Sequence, residues 1–314
     1  MKFKVFIDGE SGTTGLRIKE RLNRDDIELL QIPYEKRHDE EEIKKYINES
    51  DVTFLCLPDD VSDVHYKFKT NPNTILIDAA TVHRCDEMFA YGFPELSEEF
   101  LNKIKNSKYI AVPGCYASGF NSLAYPLVKL GVANPDYPFA ANAISGYSGA
   151  GKKGIAQYED KERSAEFDAP RLYAMSEAHK HMKEMMFIPG LKEKPLFVPF
   201  VCDFYEGMIV NIPLYVSKLN KKVTPKELHD MFEQYYKGSA FVKVMPFNEK
   251  GTEDGFLSAN SIAGKDYLCI YVSGNDERIL LTALLDNLGK GASGAAIECM
   301  NIALGLDSTK GLNL

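Results

Sequence analysis

The chain has 314 residues, of which 45% are hydrophobic and 26% charged, and its formal net charge is −8. This length suits two domains of ordinary size in a globular protein. The acid surplus speaks against a general nucleic-acid binder, which needs Lys and Arg in excess to neutralise phosphates, and no run approaches the ~20 apolar residues of a membrane span.

Six cysteines (56, 85, 115, 202, 269 and 299) form no Cys-x-x-Cys. Neither a metal site nor a disulfide framework is therefore expected, and reduced thiols fit a cytoplasmic protein. The opening Met-Lys-Phe-Lys-Val-Phe-Ile-Asp reads as a strand and not as a signal peptide.

Residues 3–8 form a short apolar strand, followed by Gly9-Glu-Ser-Gly12-Thr-Thr-Gly15 and then by Leu16–Leu22 at helical spacing. Strands are expected at 27–32, 52–57, 75–78 and 109–112, with helices at 40–47 and 61–69. This alternation predicts a doubly wound, mostly parallel α/β domain of the Rossmann kind over 1–114. The pattern then changes: strands at 139–145, 196–201, 207–216, 240–246, 261–266, 267–272 and 278–285 are often joined by turns. They predict a second, α+β domain over 115–285 with a largely antiparallel sheet, whose long strands could carry a subunit interface. Residues 286–314 carry a helix, at 291–304, expected to return to the first domain.

A glycine turn between a strand and a helix is the setting in which backbone approaches a dinucleotide pyrophosphate, so Gly9, Ser11, Gly12, Thr13, Thr14 and Gly15 are candidate cofactor contacts. The spacing is Gly-x-x-Gly-x-x-Gly, and a plain tight turn is the alternative. About 20 residues on, where an NAD site usually carries an acid, the chain reads Gln31-Ile-Pro-Tyr-Glu-Lys36-Arg37. Lys36 and Arg37 could pair with a 2′-phosphate and favour NADP, whereas Glu35 could bond a ribose hydroxyl.

Cys115 lies in Ala111-Val-Pro-Gly-Cys-Tyr-Ala-Ser-Gly119. Pro-Gly forces a turn and the small residues can open a helix, whose N-terminus lowers a thiol pKa and offers N–H donors to an oxyanion. A free thiol of pKa ~8.5 is only a few per cent thiolate at pH 7, so a nucleophilic role demands such help. The plain alternative is a buried small hydrophobe. His179 and His181, in Ala-His-Lys-His, are candidate acid/base partners; at i and i+2 they do not share a helix face, which disfavours a two-histidine metal site on one helix.

Ser145–Lys153 satisfies Gly-x-x-x-x-Gly-Lys but continues with Lys153, not Ser or Thr, so a P-loop is disfavoured. A flexible glycine loop carrying Ser148, Gly149 and Lys152 to a substrate or nicotinamide is expected instead. Arg84, after the strand ending at Asp78, could grip a carboxylate or phosphate through paired N–H bonds.

These residues resemble the N-acetyl-gamma-glutamyl-phosphate reductases in their shorter form. The matching runs are Phe6–Gly15, Cys56–Asp60, His83-Arg84 with Tyr91–Leu96, Pro113–Tyr116, Ser145–Gly149, Ala178–His181, Asp203-Phe204 with Gly207-Met208, and Asp286–Ala295. The resemblance implies a Rossmann NADP domain and a dimerising α+β domain like that of aspartate-semialdehyde dehydrogenase. It also implies Cys115 as the nucleophile that forms a thioester from an acyl phosphate, His179 as acid/base, His181 at the substrate, Arg84 and Lys152 at its carboxylate and phosphate, and Asn287 and Gly289 near the nicotinamide. A homodimer or homotetramer with a small-molecule substrate is expected. Val112, Ala117-Ser118, Lys183-Glu184 and Cys202 depart from the family pattern. Rival readings are an aspartate-semialdehyde or aminoadipate-semialdehyde type dehydrogenase, a non-catalytic NADP(H)-binding redox sensor and a cysteine hydrolase.

Overall fold

Along Phe3–Asp8 (β1), Val5 and Ile7 face one apolar cluster while Phe6 faces another, so this strand is buried on both sides. In a strand, alternate side chains point to opposite faces, and an apolar run then requires cover above and below. The computed structural model, which describes residues 2–314, supplies it. After β1 come α1 (Thr13–Arg21), β2 (Ile27–Leu30), α2 (Glu40–Glu49), β3 (Val52–Leu55), α3 (Asp59–His65), β4 (Ile75–Asp78), β5 (Ala90–Tyr91), α4 (Glu98–Asn106) and β6 (Tyr109–Ala111). The sheet order is β2-β1-β3-β4-β6-β5, and every pairing is parallel. Ile18 of α1 and Ile104 of α4 pack on one face with Val5, Phe54, Ile77 and Ile110; Ile43 and Ile47 of α2 meet Phe6 on the other. Asp39 caps α2 by accepting from the backbone N–H groups of Glu41 and Glu42.

The second unit comprises Cys115–Gly291 with Asn313–Leu314. It holds α5 (Cys115–Lys129), β7 (Ala140–Gly146), α6 (Gly151–Glu159), β8 (Arg171–Leu172), α7 (Met182–Phe187), β9 (Leu196–Cys202), β10 (Met208–Tyr215), α8 (Pro225–Tyr235), β11 (Val242–Val244), β12 (Leu268–Asn275) and β13 (Arg278–Leu285). Its sheet runs β11-β12-β13-β10-β7-β9-β8 and is mixed: parallel at β11/β12 and β7/β9, antiparallel elsewhere. Helix α5 packs so closely on β10 that a Cβ at Gly119 would come within 2.6 Å of Val210. The opposite sheet face leaves Ile144, Leu196, Val198 and Leu280 exposed.

One turn of π-helix at Gly289–Ser293 leads into α9 (Gly294–Ala303), whose Ala295, Ala296, Ile297 and Met300 join the cluster of Val5 and Ile7 in the first unit. The second unit thus includes 286–291 as well as the 115–285 expected, and Ala292–Leu312 group with the first.

Three local expectations fail. Residues 261–266 are successive turns, not a strand, with Gly264 at φ 77° and its N–H donated to Asp286. The segment after β7 is not a loose glycine loop: Tyr147–Ala150 form a 3₁₀ turn and Gly151 opens α6. The strand expected at 240–246 shrinks to β11. Helices α4 and α8 were not foreseen. For α8 a signal was present: Thr224 and Glu227 form a capping box and Pro225 opens the helix.

Candidate active site

In the first unit the glycine turn leaves β1 and enters α1. Gly9 has φ +84°, and a Cβ there would lie 2.4 Å from the Cys56 carbonyl oxygen; at Gly15 one would meet the Gly9 carbonyl at 2.6 Å. Only glycine fits either place. The Gly12 N–H closes the turn on the Gly9 carbonyl at 3.0 Å. Gly12 is also the N-cap of α1, where no side chain caps and no acid occupies the first turn. Backbone N–H groups of Thr13, Thr14 and Gly15 therefore head a helix with no competing carboxylate, which suits a pyrophosphate. Ser11 is exposed beside them.

After β2, Lys36 and Arg37 differ. Lys36 pairs with Glu42 at 2.6 Å, and that carboxylate raises its pKa. Arg37 stacks on the exposed Tyr34 ring at 3.6 Å and donates Nε–H to His38. Of the two cations, Lys36 is committed to an acid and Arg37 is presented on an aromatic platform. Arg84 is 8% exposed and spends Nε–H on the Val112 carbonyl at 2.8 Å and an Nη2–H on the Ala79 carbonyl at 3.0 Å. It clamps the ends of β4 and β6.

In the second unit Cys115 is the first residue of α5 and is partly buried. Its neighbour Tyr116 is 4% exposed and forms the hub of an aromatic cluster. The His179 ring stands edge-on to it at 5.6 Å and the His181 ring is tilted to it at 5.9 Å; the two imidazoles are 4.7 Å apart. Phe197 packs on both Tyr116 and His179. The Tyr116 hydroxyl hydrogen-bonds to Ser145 and Tyr173, and burial pushes both phenols well up, so they stay protonated. The charge of a Cys115 thiolate also reaches both phenols. Two non-glycine residues with positive φ, Ala174 and Glu177, bracket the turn between Tyr173 and His179. Such strain persists only where surroundings hold it; here the Glu177 carboxylate accepts the Phe197 N–H at 3.1 Å.

The same cluster continues through Ser145 to the glycine-rich turn. A Cβ at Gly149 would lie 3.4 Å from Asn287 Nδ2 and 3.6 Å from Ser145 Oγ. Asn287, 2% exposed, donates from Nδ2 to Ser148 Oγ at 2.8 Å and accepts the Gly207 N–H on Oδ1 at 2.8 Å. Gly289 approaches the Lys265 carbonyl, and a Cβ at Gly291 would sit 2.8 Å from the Cys115 Cβ. The structure thus gathers Cys115, His179, His181, Ser148, Gly149 and Asn287 from distant parts of the chain. Lys152, by contrast, is exposed on the first turn of α6.

Tyr116, Tyr173 and Ser145 were not singled out from sequence. Tyr116 had a signal, adjacency to the cysteine; for Tyr173 none existed, since its partners come from α5, β9 and the turn before α7. Apart from exposed Lys183, the departures from the family pattern are buried: Val112 lies in the core of the first unit, Ala117 is fully buried, and Cys202 is buried with its thiol pKa pushed up. One grouping of metal-type ligands, His229, Asp230 and Glu233, occurs on α8 among the described residues, with Lys226 already on Asp230.

Residues 115–287 match the family "Semialdehyde dehydrogenase, dimerisation domain". The chain is 43% identical to N-acetyl-gamma-glutamyl-phosphate reductase 2 of Nostoc sp. (strain PCC 7120 / SAG 25.82 / UTEX 2576), with 99% of each covered. It is 41% identical to N-acetyl-gamma-glutamyl-phosphate reductase of Brucella ovis, over 97% of this chain and all of that one. Among solved structures, aspartate semialdehyde dehydrogenase II from Vibrio cholerae superposes with a TM-score of 0.71 at 16% identity, covering 97% of this chain and 99% of the other, a likeness of fold. A semialdehyde dehydrogenase fold, a cysteine at a helix start whose neighbour Tyr116 packs on paired imidazoles, and full-length relatives of one name converge: the chain is an oxidoreductase that belongs to the N-acetyl-gamma-glutamyl-phosphate reductase family.

Proposed function

We propose that the protein reduces N-acetyl-glutamyl 5-phosphate to N-acetyl-glutamate 5-semialdehyde in arginine biosynthesis, through a thioester on Cys115 and with NADP(H) as cofactor. The observation that carries this is the packing of the His179 and His181 rings on Tyr116, the residue next to Cys115.

The Cys115 sulfur attacks the acyl carbon and phosphate leaves. Backbone N–H groups at the start of α5 stabilise the oxyanion, the dipole of this 15-residue helix adding to them. NADPH, when bound, supplies hydride to the acyl carbon. Residues 9–15 and Arg37 would hold its phosphates, and Asn287 with Gly289 would border its nicotinamide. Ser148 and Gly149 would orient the substrate, and Arg84 and Lys152 are the candidates for its carboxylate and phosphate. An imidazole of the 179/181 pair serves the oxygen of the tetrahedral species, with His181 nearer the substrate chain. Six thiols and no disulfide suit a cytoplasmic enzyme. The exposed Ile144, Val198 and Leu280 on one face of the second sheet support a homodimer closed sheet to sheet, alone or within a tetramer.

The test is phosphate-dependent reduction of NADP followed by the absorbance of the reduced nicotinamide, with N-acetyl-glutamate semialdehyde, aspartate semialdehyde and aminoadipate semialdehyde in parallel. Turnover confined to the first supports the proposal. Turnover with another aldehyde, or none, overturns it.

A further inference from the structure

The turn that carries Ser148 is held largely through its backbone. The N–H groups of Gly146, Tyr147 and Ser148 donate to the carbonyls of Gly207, Phe204 and Tyr205, each at 2.9 Å. A Cβ at Gly146 would lie 2.6 Å from the Tyr205 carbonyl oxygen, so only glycine lets the two segments lie this close. Residues 203–207 also set Asn287: the Gly207 N–H donates to its amide oxygen, and its amide nitrogen donates to Ser148. The place of the Ser148 hydroxyl is therefore fixed by residues 203–207.

A cation anchors that segment. Arg163, in the stretch after α6, donates from Nη1 to Asp203 Oδ1 at 2.9 Å and from Nη2 to Asp203 Oδ2 at 2.6 Å, a forked bond at the first residue after β9. Nη2 also donates to Asp168 Oδ1 at 2.8 Å, and Nη1 to the Tyr158 carbonyl in the last turn of α6. The Tyr147 ring stacks on Tyr158 at 4.8 Å and meets Tyr205 edge-on at 5.5 Å, so the end of α6 and the 203–207 segment grip the residue before Ser148. Hydrogen bonds from Arg163 hold the Asp203 carboxyl below its ordinary value. An isolated exposed ion pair is worth little, but a forked Arg–carboxylate bond within a network is the exception.

We propose that Arg163 and Asp203 are positioning residues for the substrate side of the site: their forked bond sets the register of residues 203–207 and, through it, the Ser148 hydroxyl and the Asn287 amide. The proposal rests on the reductase reading above for the part Ser148 plays. Neither residue is asked to touch the reacting atoms; both act through the carbonyls of Phe204 and Tyr205 and the N–H of Gly207.

Two measurements test this. The first needs no substrate. By hydrogen–deuterium exchange, the amides of residues 146–148 and 207 should exchange about tenfold faster in Arg163→Met and in Asp203→Asn than in wild type, while those of β13 keep their rates. Unchanged exchange at 146–148 overturns the proposal, and so does an equal acceleration in β13, which would make the bond a general brace. The second is the NADP-reduction assay, with whichever aldehyde the enzyme turns over. Each variant should raise the KM for the aldehyde about tenfold, the worth of one charge-assisted bond. The KM for NADP should hardly move, since residues 9–15 and Arg37 carry cofactor binding in this reading. The double variant should be no worse than Arg163→Met, because the same bond is lost in both. Arg163→Lys, which cannot form the fork, should stay close to Arg163→Met. An unmoved aldehyde KM, a parallel rise in the KM for NADP, additive losses or full recovery by lysine each overturn the proposal. A failure of the reductase reading changes the aldehyde used and leaves the exchange result standing.

Discussion

The two units build their candidate sites from different material. In the first, the cofactor turn is almost wholly backbone: glycines at 9, 12 and 15, an uncapped helix start, and a single guanidinium on a tyrosine. In the second, the cluster around Cys115 is side chains drawn from α5, β7, the turn before α7, β9 and the segment after β13. A backbone site depends on a few contiguous residues and shows itself as spacing. A side-chain site depends on how distant segments pack, and spacing is silent about it.

Substitutions that strike one site and spare the other sharpen this contrast. The largest effect is expected of Cys115→Ser: reduction should fall by about four orders of magnitude or more, as for loss of a nucleophile, while fluorescence titration finds NADPH binding unchanged. Next, Ile144→Asp with Val198→Asp should break the proposed sheet-to-sheet dimer, because an unpaired carboxylate buried in an interface costs on the order of 3 kcal/mol or more. Sedimentation should then give a smaller species than wild type.

Gly9→Ala reverses the first experiment. A methyl group 2.4 Å from the Cys56 carbonyl, on a residue at φ +84°, cannot be accommodated without movement. Thermal melting should show a loss of roughly 1–3 kcal/mol, and NADPH binding should weaken while Cys115 still alkylates. Arg37→Ala should raise the NADPH Michaelis constant about tenfold, the worth of one charge-assisted bond, and leave that for NADH unmoved. Lys36→Ala should do less, because Lys36 is held by Glu42.

The smallest effect concerns stability. Arg24 and Lys310 hold the Asp26 carboxyl well below its ordinary value of 3.8, tying β2 to the segment after α9. A depressed folded pKa gives stability that is present above the unfolded value and lost as pH falls through the folded one. Asp26→Asn should therefore lower stability at pH 7, by on the order of 1 kcal/mol for this partly solvated group, read as a lower Tm. The gap to wild type should narrow steadily below pH 3.8.

Much of the fold was legible because the strands of the parallel sheet are unbroken apolar runs, Val52–Leu55 and Ile75–Asp78 among them, flanked by turn residues. The misread stretches share one trait. At 261–266 an alternation of small and apolar residues resembles a strand, but Gly264 adopts a left-handed φ to reach Asp286, a partner far along the chain. At 147–159 five glycines and alanines suggested looseness, yet the N–H groups of Tyr147 and Ser148 are taken by the Phe204 and Tyr205 carbonyls, which fixes the turn and lets α6 begin.

From its amino acids alone this protein determined where backbone must turn tightly and where a thiol must head a helix, since glycine conformation, proline geometry and apolar alternation act over a few residues. Tertiary packing decided which phenol, hydroxyl and amide gather near that thiol, and which of two adjacent cations is tied to an acid. Those outcomes depend on hydrogen bonds between residues that are remote in sequence or set by a single turn, and such bonds exist only once the chain has closed around them.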